Sequence, residues 1–173
     1  MKNGRMRGFT LIELLTVVAI AGVLLSLATI SMAGYVSRTK LRTTMYSIDA
    51  DIRQARWIAQ SMATACFIKF DTAASSYTIN GTQYSKLPDG VRFGVDASVT
   101  GSPGAASTPP HVDGISFESS GNPNTLTYYP TGAVVPAGTV YLTDGSRTMA
   151  VRVARTGRPK LWLSNGGSSW TAI

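Results

Sequence analysis

Residues able to do chemistry are few in this chain, and two groups of them stand out. Glu13 lies in "RGFTLIELL" at the start of a segment that carries no further charge from Leu14 to Ser37, 24 residues. An isolated carboxylate in an apolar surrounding costs several kcal/mol, so such a group calls for a partner. The second group is cationic: Arg147, Arg152, Arg155, Arg158 and Lys160 fall within 14 positions, and no acidic residue follows Asp144. Cations at that density suit anionic partners. Elsewhere, a single cysteine, Cys66, excludes an internal disulfide and a CxxC metal site, and the single histidine, His111, stands in a Pro/Gly-rich loop without metal-ligand spacing around it. Neither a nucleophile elbow nor a phosphate-binding Gly-Lys-Ser/Thr loop occurs, so the sequence predicts neither an enzyme nor a cofactor.

Of the 173 residues, 44% are apolar and 14% charged, with a net charge of +7. This is enough for one apolar segment and one modest globular domain. Before the apolar segment stand Lys2, Arg5 and Arg7. The basic start resembles a secretory signal, but 24 uncharged residues exceed the h-region of an ordinary cleaved signal. As a helix that run extends about 36 Å, enough to cross roughly 30 Å of hydrocarbon. The cations ahead of it predict a cytoplasmic N-terminus and an exported remainder. A plain membrane anchor accounts for all of this except Glu13 and the Gly8-Phe9 junction.

Those residues carry a resemblance. "RGFTLIELL" is similar to the class III leader of type IV pilins and of the pseudopilins of type II secretion. The resemblance implies cleavage between Gly8 and Phe9 by a prepilin peptidase and N-methylation of Phe9. It further implies that Glu13 meets the Phe9 amine of a neighbouring subunit during assembly. That amine stays cationic when methylated, and Glu13 lies one turn away near the positive end of the helix. The plainer alternative is a glutamate in the headgroup layer.

These residues need elements to position them. Leu41, Met45, Ile48, Ile52, Ala55, Ala59 and Met62 recur in steps of three and four, which predicts one apolar stripe on a helix. A helix from about Phe9 to Ala63 would be about 80 Å long, apolar all round in its first half and amphipathic in its second. Asp49 and Arg53 are spaced for an exposed i,i+4 pair. Gly22 and Gly34 are weak points, with no proline to break the helix. From Cys66 onward the pattern becomes short β-type runs: 66–70, 76–80, 91–95, 114–119, 125–129, 139–143, 149–154 and 159–163, separated by turn residues. Strands without intervening helices predict antiparallel sheets covered by the helical stripe. The segment 96–114, poor in large apolar residues, reads as a mobile loop. The fold class expected is therefore α+β, a long N-terminal helix packed on a C-terminal domain of antiparallel sheets. Its divisions are a leader at 1–8, a membrane or filament-core half-helix at 9–37 and a periplasmic domain at 38–173.

The helix end "DIRQARWIAQSMATACFIKF", the stretch "ISFESSGNP" and the closing "MAVRVARTGRPKLW" resemble the GspH/FimT family of minor pilins and pseudopilins. The lone Cys66 departs from major pilins, which commonly close their C-terminal region with a disulfide. The resemblance implies an inner-membrane subunit whose partners are the prepilin peptidase and other pilin or pseudopilin subunits. In a strand over 158–163, Arg158, Lys160 and Trp162 share one face. Cations neutralise phosphates and Trp stacks on bases, so Arg147, Arg152, Arg155, Arg158, Lys160 and Trp162 are candidate contacts for non-specific DNA binding. Gly157-Arg158-Pro159-Lys160 partly matches the Gly-Arg-x-Arg motif that FimT-like competence subunits use for DNA uptake. The alternatives are a solvated strand face and a pseudopilin that binds no nucleic acid.

Overall fold

The computed structural model describes residues 9–104, 110–111, 113–117 and 123–173, without the side chains of 27–31, 33, 83 and 84. The expected leader, with Gly8, lies outside the described residues. The chain divides into two compact units, Met1–Val36 and Ser37–Ile173.

Helix α1 spans Leu11–Ser61. Its start is fixed by Thr10, whose Oγ1 accepts from the Glu13 N–H at 3.3 Å, as an N-cap hydroxyl does. Its end is set at Ala63, whose φ of 50° is a left-handed C-terminal turn. Gly22 and Gly34 leave it uninterrupted. In the first unit Leu11, Ile12, Leu14, Leu15, Val17, Val18 and Ile20 are all exposed, so successive positions present apolar surface around the whole helix. Among the described residues no helix is long and apolar enough to cross a membrane. The uncharged run expected to span passes through residues whose side chains lie outside the described ones.

The second unit carries ten strands: β1 Cys66–Asp71, β2 Ser76–Ile79, β3 Gln83–Lys86, β4 Arg92–Phe93, β5 Thr125–Tyr128, β6 Val134–Val135, β7 Gly138–Thr143, β8 Thr148–Val153, β9 Pro159–Ser164 and β10 Trp170–Ala172. They form two five-stranded sheets, ordered β3-β2-β1-β5-β6 and β10-β9-β8-β7-β4. Every strand pair is antiparallel. This is the expected α+β, pilin-like layout. The helical stripe supplies Leu41, Met45, Ile48, Ile52, Ala55 and Ala59 to one core with Ile68, Phe70, Leu126, Val140, Leu142, Met149, Val151 and Leu161 of both sheets. Burying Leu41, Met45, Ile48 and Ile52 contributes at most about 6 to 12 kcal/mol.

Four expectations are corrected. Met62 is 69% exposed, because the helix ends at Ser61 and the stripe stops at Ala59. Asp49 is buried, although its pair with Arg53 forms as spaced, with Nε donating to Oδ2 at 2.8 Å. Residues 114–117 form no strand: Ile115 makes an isolated bridge to Val140, and the rest of that run lies outside the described residues. Lastly, 96–104 is docked. It crosses the second sheet, where the Asp96 N–H donates to Thr148 Oγ1 at 2.8 Å, the Tyr141 hydroxyl to Ser102 Oγ at 2.9 Å and Trp170 Nε1 to the Gly101 carbonyl at 2.7 Å. These polar anchors join buried Val99 in holding a segment otherwise poor in large apolar side chains, and Tyr141 beneath it is 1% exposed.

Candidate functional site

At the N-terminal site, Phe9 is 79% exposed and precedes the cap. Thr10 and Glu13 take the N-cap and N3 positions of a capping-box sequence, T-x-x-E. The Glu13 N–H also bonds the Thr10 carbonyl at 3.1 Å. Its backbone thus belongs to the helix start, its carboxylate lies in the first turn where the helix dipole favours negative charge, and its side chain is exposed. That geometry leaves the carboxylate able to meet a cation from another molecule.

The C-terminal cations do not form one face. Strands β7, β8 and β9 place Thr139, Arg152 and Lys160 directly opposite one another, with Tyr141, Ala150 and Trp162 in the next row. Arg152, Lys160 and Trp162 therefore share the outward side of the second sheet. Lys160 Nζ lies 4.7 Å from the centre of the Trp162 ring, a cation–π contact that occupies one indole face. The Arg152 guanidinium donates to the Pro103 carbonyl and so is committed to the docked segment. Arg147 sits in the β7–β8 turn, a β8 length of roughly 17 Å from the β8–β9 turn that bears Arg155 and Arg158. In its own turn the Arg147 N–H donates to Asp144 Oδ1 at 2.8 Å. Burial raises the Asp144 carboxyl, but donors from Ser146, Arg147 and Ser37 outweigh it and hold the group below its usual range. Arg155 lines a cleft with Arg152, His111 and Tyr141.

Arg158 belongs elsewhere. It precedes β9 and lines, with Pro159, a groove of about 510 Å³ whose other wall is Arg53, Arg56, Trp57 and Gln60 from the last turns of α1. Gly157 makes this junction possible. Its carbonyl accepts from the Tyr128 hydroxyl at 3.0 Å and from Arg56 at 3.4 Å, so one oxygen ties the β8–β9 turn to strand β5 and to the helix.

Residues 3–29 match the family model of the prokaryotic N-terminal methylation motif. The match covers the expected leader and the first part of α1, and it supports a type IV pilin-like protein with a prepilin-type leader. It implies processing by a prepilin peptidase and assembly with other pilins, and it suggests a structural subunit anchored in a membrane. No curated protein and no solved structure matches the chain.

Sequence reasoning set Glu13 beside its expected cation but missed the T-x-x-E cap, a signal readable in Thr10 to Glu13 just ahead of the uncharged segment. It also missed Arg56, Trp57 and Gln60. Their spacing places them on the flank of α1 beside the buried stripe, and nothing local shows that the β8–β9 turn arrives there. Among the described residues no group of His, Cys, Asp and Glu could hold a metal ion.

Proposed function

We propose that this chain is a minor type IV pilin of the GspH/FimT type, a structural subunit inserted in the inner membrane through residues 9–37 and assembled into a pilus. The methylation motif over residues 3–29 carries the reading. Support comes from the first unit, whose apolar side chains are exposed on all sides of α1 and require a bilayer or neighbouring helices to cover them. The peptidase cuts after Gly8, Phe9 becomes the methylated N-terminus, and Glu13, exposed in the first turn, pairs with the Phe9 amine of the adjoining subunit. Mass spectrometry of the purified protein should find an N-methylated Phe9; any other N-terminus refutes the processing. Glu13→Gln should leave the membrane fraction unchanged and deplete the sheared pilus fraction, whereas equal incorporation would confine Glu13 to capping and the headgroup layer.

DNA uptake is the further role of this subunit, and Lys160, exposed on the outward side of the second sheet, supports it. Binding is non-specific, in the range of roughly 10⁻⁴ to 10⁻⁶ M, and weakens steeply with salt. A minor pseudopilin of type II secretion shares the leader and the helix, so a gel shift of the full chain at two salt concentrations separates the two readings. Absence of any shift at low salt favours the pseudopilin.

A further inference from the structure

We infer that the end of the second unit where its share of α1 begins is a docking surface for anionic phospholipid headgroups, with Arg38, Lys40, Arg42, Arg92 and Arg147 set against lipid phosphates. The inference rests on the reading of residues 9–37 as the membrane segment, and it adds that the exported domain is held against the bilayer by charge as well as by its anchor.

Ser37 opens the second unit and closes the membrane segment. Along the helix axis Arg38, Lys40 and Arg42 lie about 1.5, 4.5 and 7.5 Å beyond it, within the headgroup layer of one leaflet, about 5 to 8 Å deep. All three are exposed. They do not serve topology, because orientation is set by cations on the cytoplasmic flank and these stand on the exported one. The second sheet brings two more cations to the same end. The Ser37 hydroxyl donates to Asp144 Oδ2 at 3.3 Å and Lys40 Nζ to the Asp89 carbonyl at 3.4 Å, so the β7–β8 turn and the loop before β4 both lie against the start of this helix. Arg147 is exposed in that turn, and Arg92, exposed at the start of β4, pairs with Thr143 beside it. Against these five cations the same end carries Asp89, Asp96 and Asp144. Two of the three carboxylates are met from within: Asp144 by Ser37, Ser146 and the Arg147 N–H, Asp96 by the hydroxyl and N–H of Ser98. Among the described residues the one ion pair joins Arg53 to Asp49, so none of the five cations is held by a carboxylate. An anionic leaflet supplies the counter-charge, and each Lys or Arg near such a surface favours contact roughly fivefold.

The test is amide hydrogen exchange of the full chain inserted in nanodiscs of phosphatidylcholine alone, or of phosphatidylcholine mixed with phosphatidylglycerol. With the anionic lipid, exchange over residues 88–92 and 143–147 should slow about fivefold or more, and high salt should reverse the slowing. Residues 154–158, a strand length away, should exchange alike in both discs. Arg92→Ala with Arg147→Ala, and independently Arg38→Ala with Arg42→Ala, should each remove most of the slowing while matching wild type in the neutral disc. Arg155→Ala with Arg158→Ala should leave it in place. Equal exchange of both turns in the two discs refutes the docking surface, as does slowing that only the Arg155 and Arg158 pair removes. Slowing in the neutral disc on addition of soluble glycerol phosphate would show a general anion site and overturn the assignment to a lipid surface. A chain that enters neither disc refutes the membrane segment and the docking surface together, whereas insertion with unchanged exchange refutes the docking surface alone.

Discussion

Gly157→Ala is the sharpest perturbation of the junction that presents Arg158. Gly157 has a φ of +74°, a left-handed backbone that costs an L-residue about 1 to 2 kcal/mol. An added Cβ would stand 2.0 Å from the Gly132 carbonyl oxygen, where real side chains keep more than 3.0 Å, so the turn must move by an ångström or more. That movement draws the Gly157 carbonyl away from the Tyr128 hydroxyl, now 3.0 Å distant, and leaves a buried donor unpaired at about 1 to 3 kcal/mol. The total is roughly 2 to 5 kcal/mol. Gly145→Ala is the control, since Gly145 has a φ of +88° but nothing within 4 Å of its Cβ position. It should cost only the backbone part, about 1 to 2 kcal/mol. At about 2 to 4 °C per kcal/mol for a chain of this size, the two variants should differ in melting temperature by several degrees. Near-ultraviolet circular dichroism of the full chain reads this directly, because Trp57, Trp162 and Trp170 all lie in the second unit. Equal melting temperatures would show that the close approach of the two turns is not what holds the junction.

Two further outcomes follow from burial and charge. Ile52→Asp puts an unpaired carboxylate at a fully buried position and should unfold the second unit, while Arg53→Ala, which strands the buried Asp49, should cost about 1 to 3 kcal/mol; comparable melts for the two would mean that the stripe is not the core. Burial, reinforced by its hydrogen bond to Asp51, pushes the Tyr77 hydroxyl up to about 12. The raised value means that its stabilising effect is complete below the unfolded value near 10 and is lost between about pH 10 and pH 12; a flat denaturation midpoint across that window would refute it.

The helix and the central strands were legible because their residues obey a period. The stripe from Leu41 to Ala59 announces a covered helix face, and β1 reads inward at Cys66, Ile68 and Phe70. Strands β3, β6 and β10 escaped because "QYSK", "VV" and "WTA" are edge pieces whose ladder partners, not their own hydrophobicity, hold them in place. The docked segment escaped for a related reason: Ser98, Gly101 and Ser102 anchor by hydrogen bonds, which composition does not reveal. The cations were visible as a cluster in the chain. Their division between a sheet face, a far turn and a groove depends on where antiparallel strands reverse, and a count of charges along the sequence carries no such information.

Cys66 is wholly buried on β1, and burial pushes its thiol above the usual range even though Asn80 works the other way. A thiol held neutral and out of solvent reacts slowly with maleimides and oxidants. Since it is the sole cysteine, the native chain is a nearly silent background for site-directed labelling. A cysteine introduced at an exposed position such as Gln60 or Thr171 becomes the single reactive handle on the molecule, so dyes, spin labels or bulky adducts can be attached to living cells without first removing a native thiol.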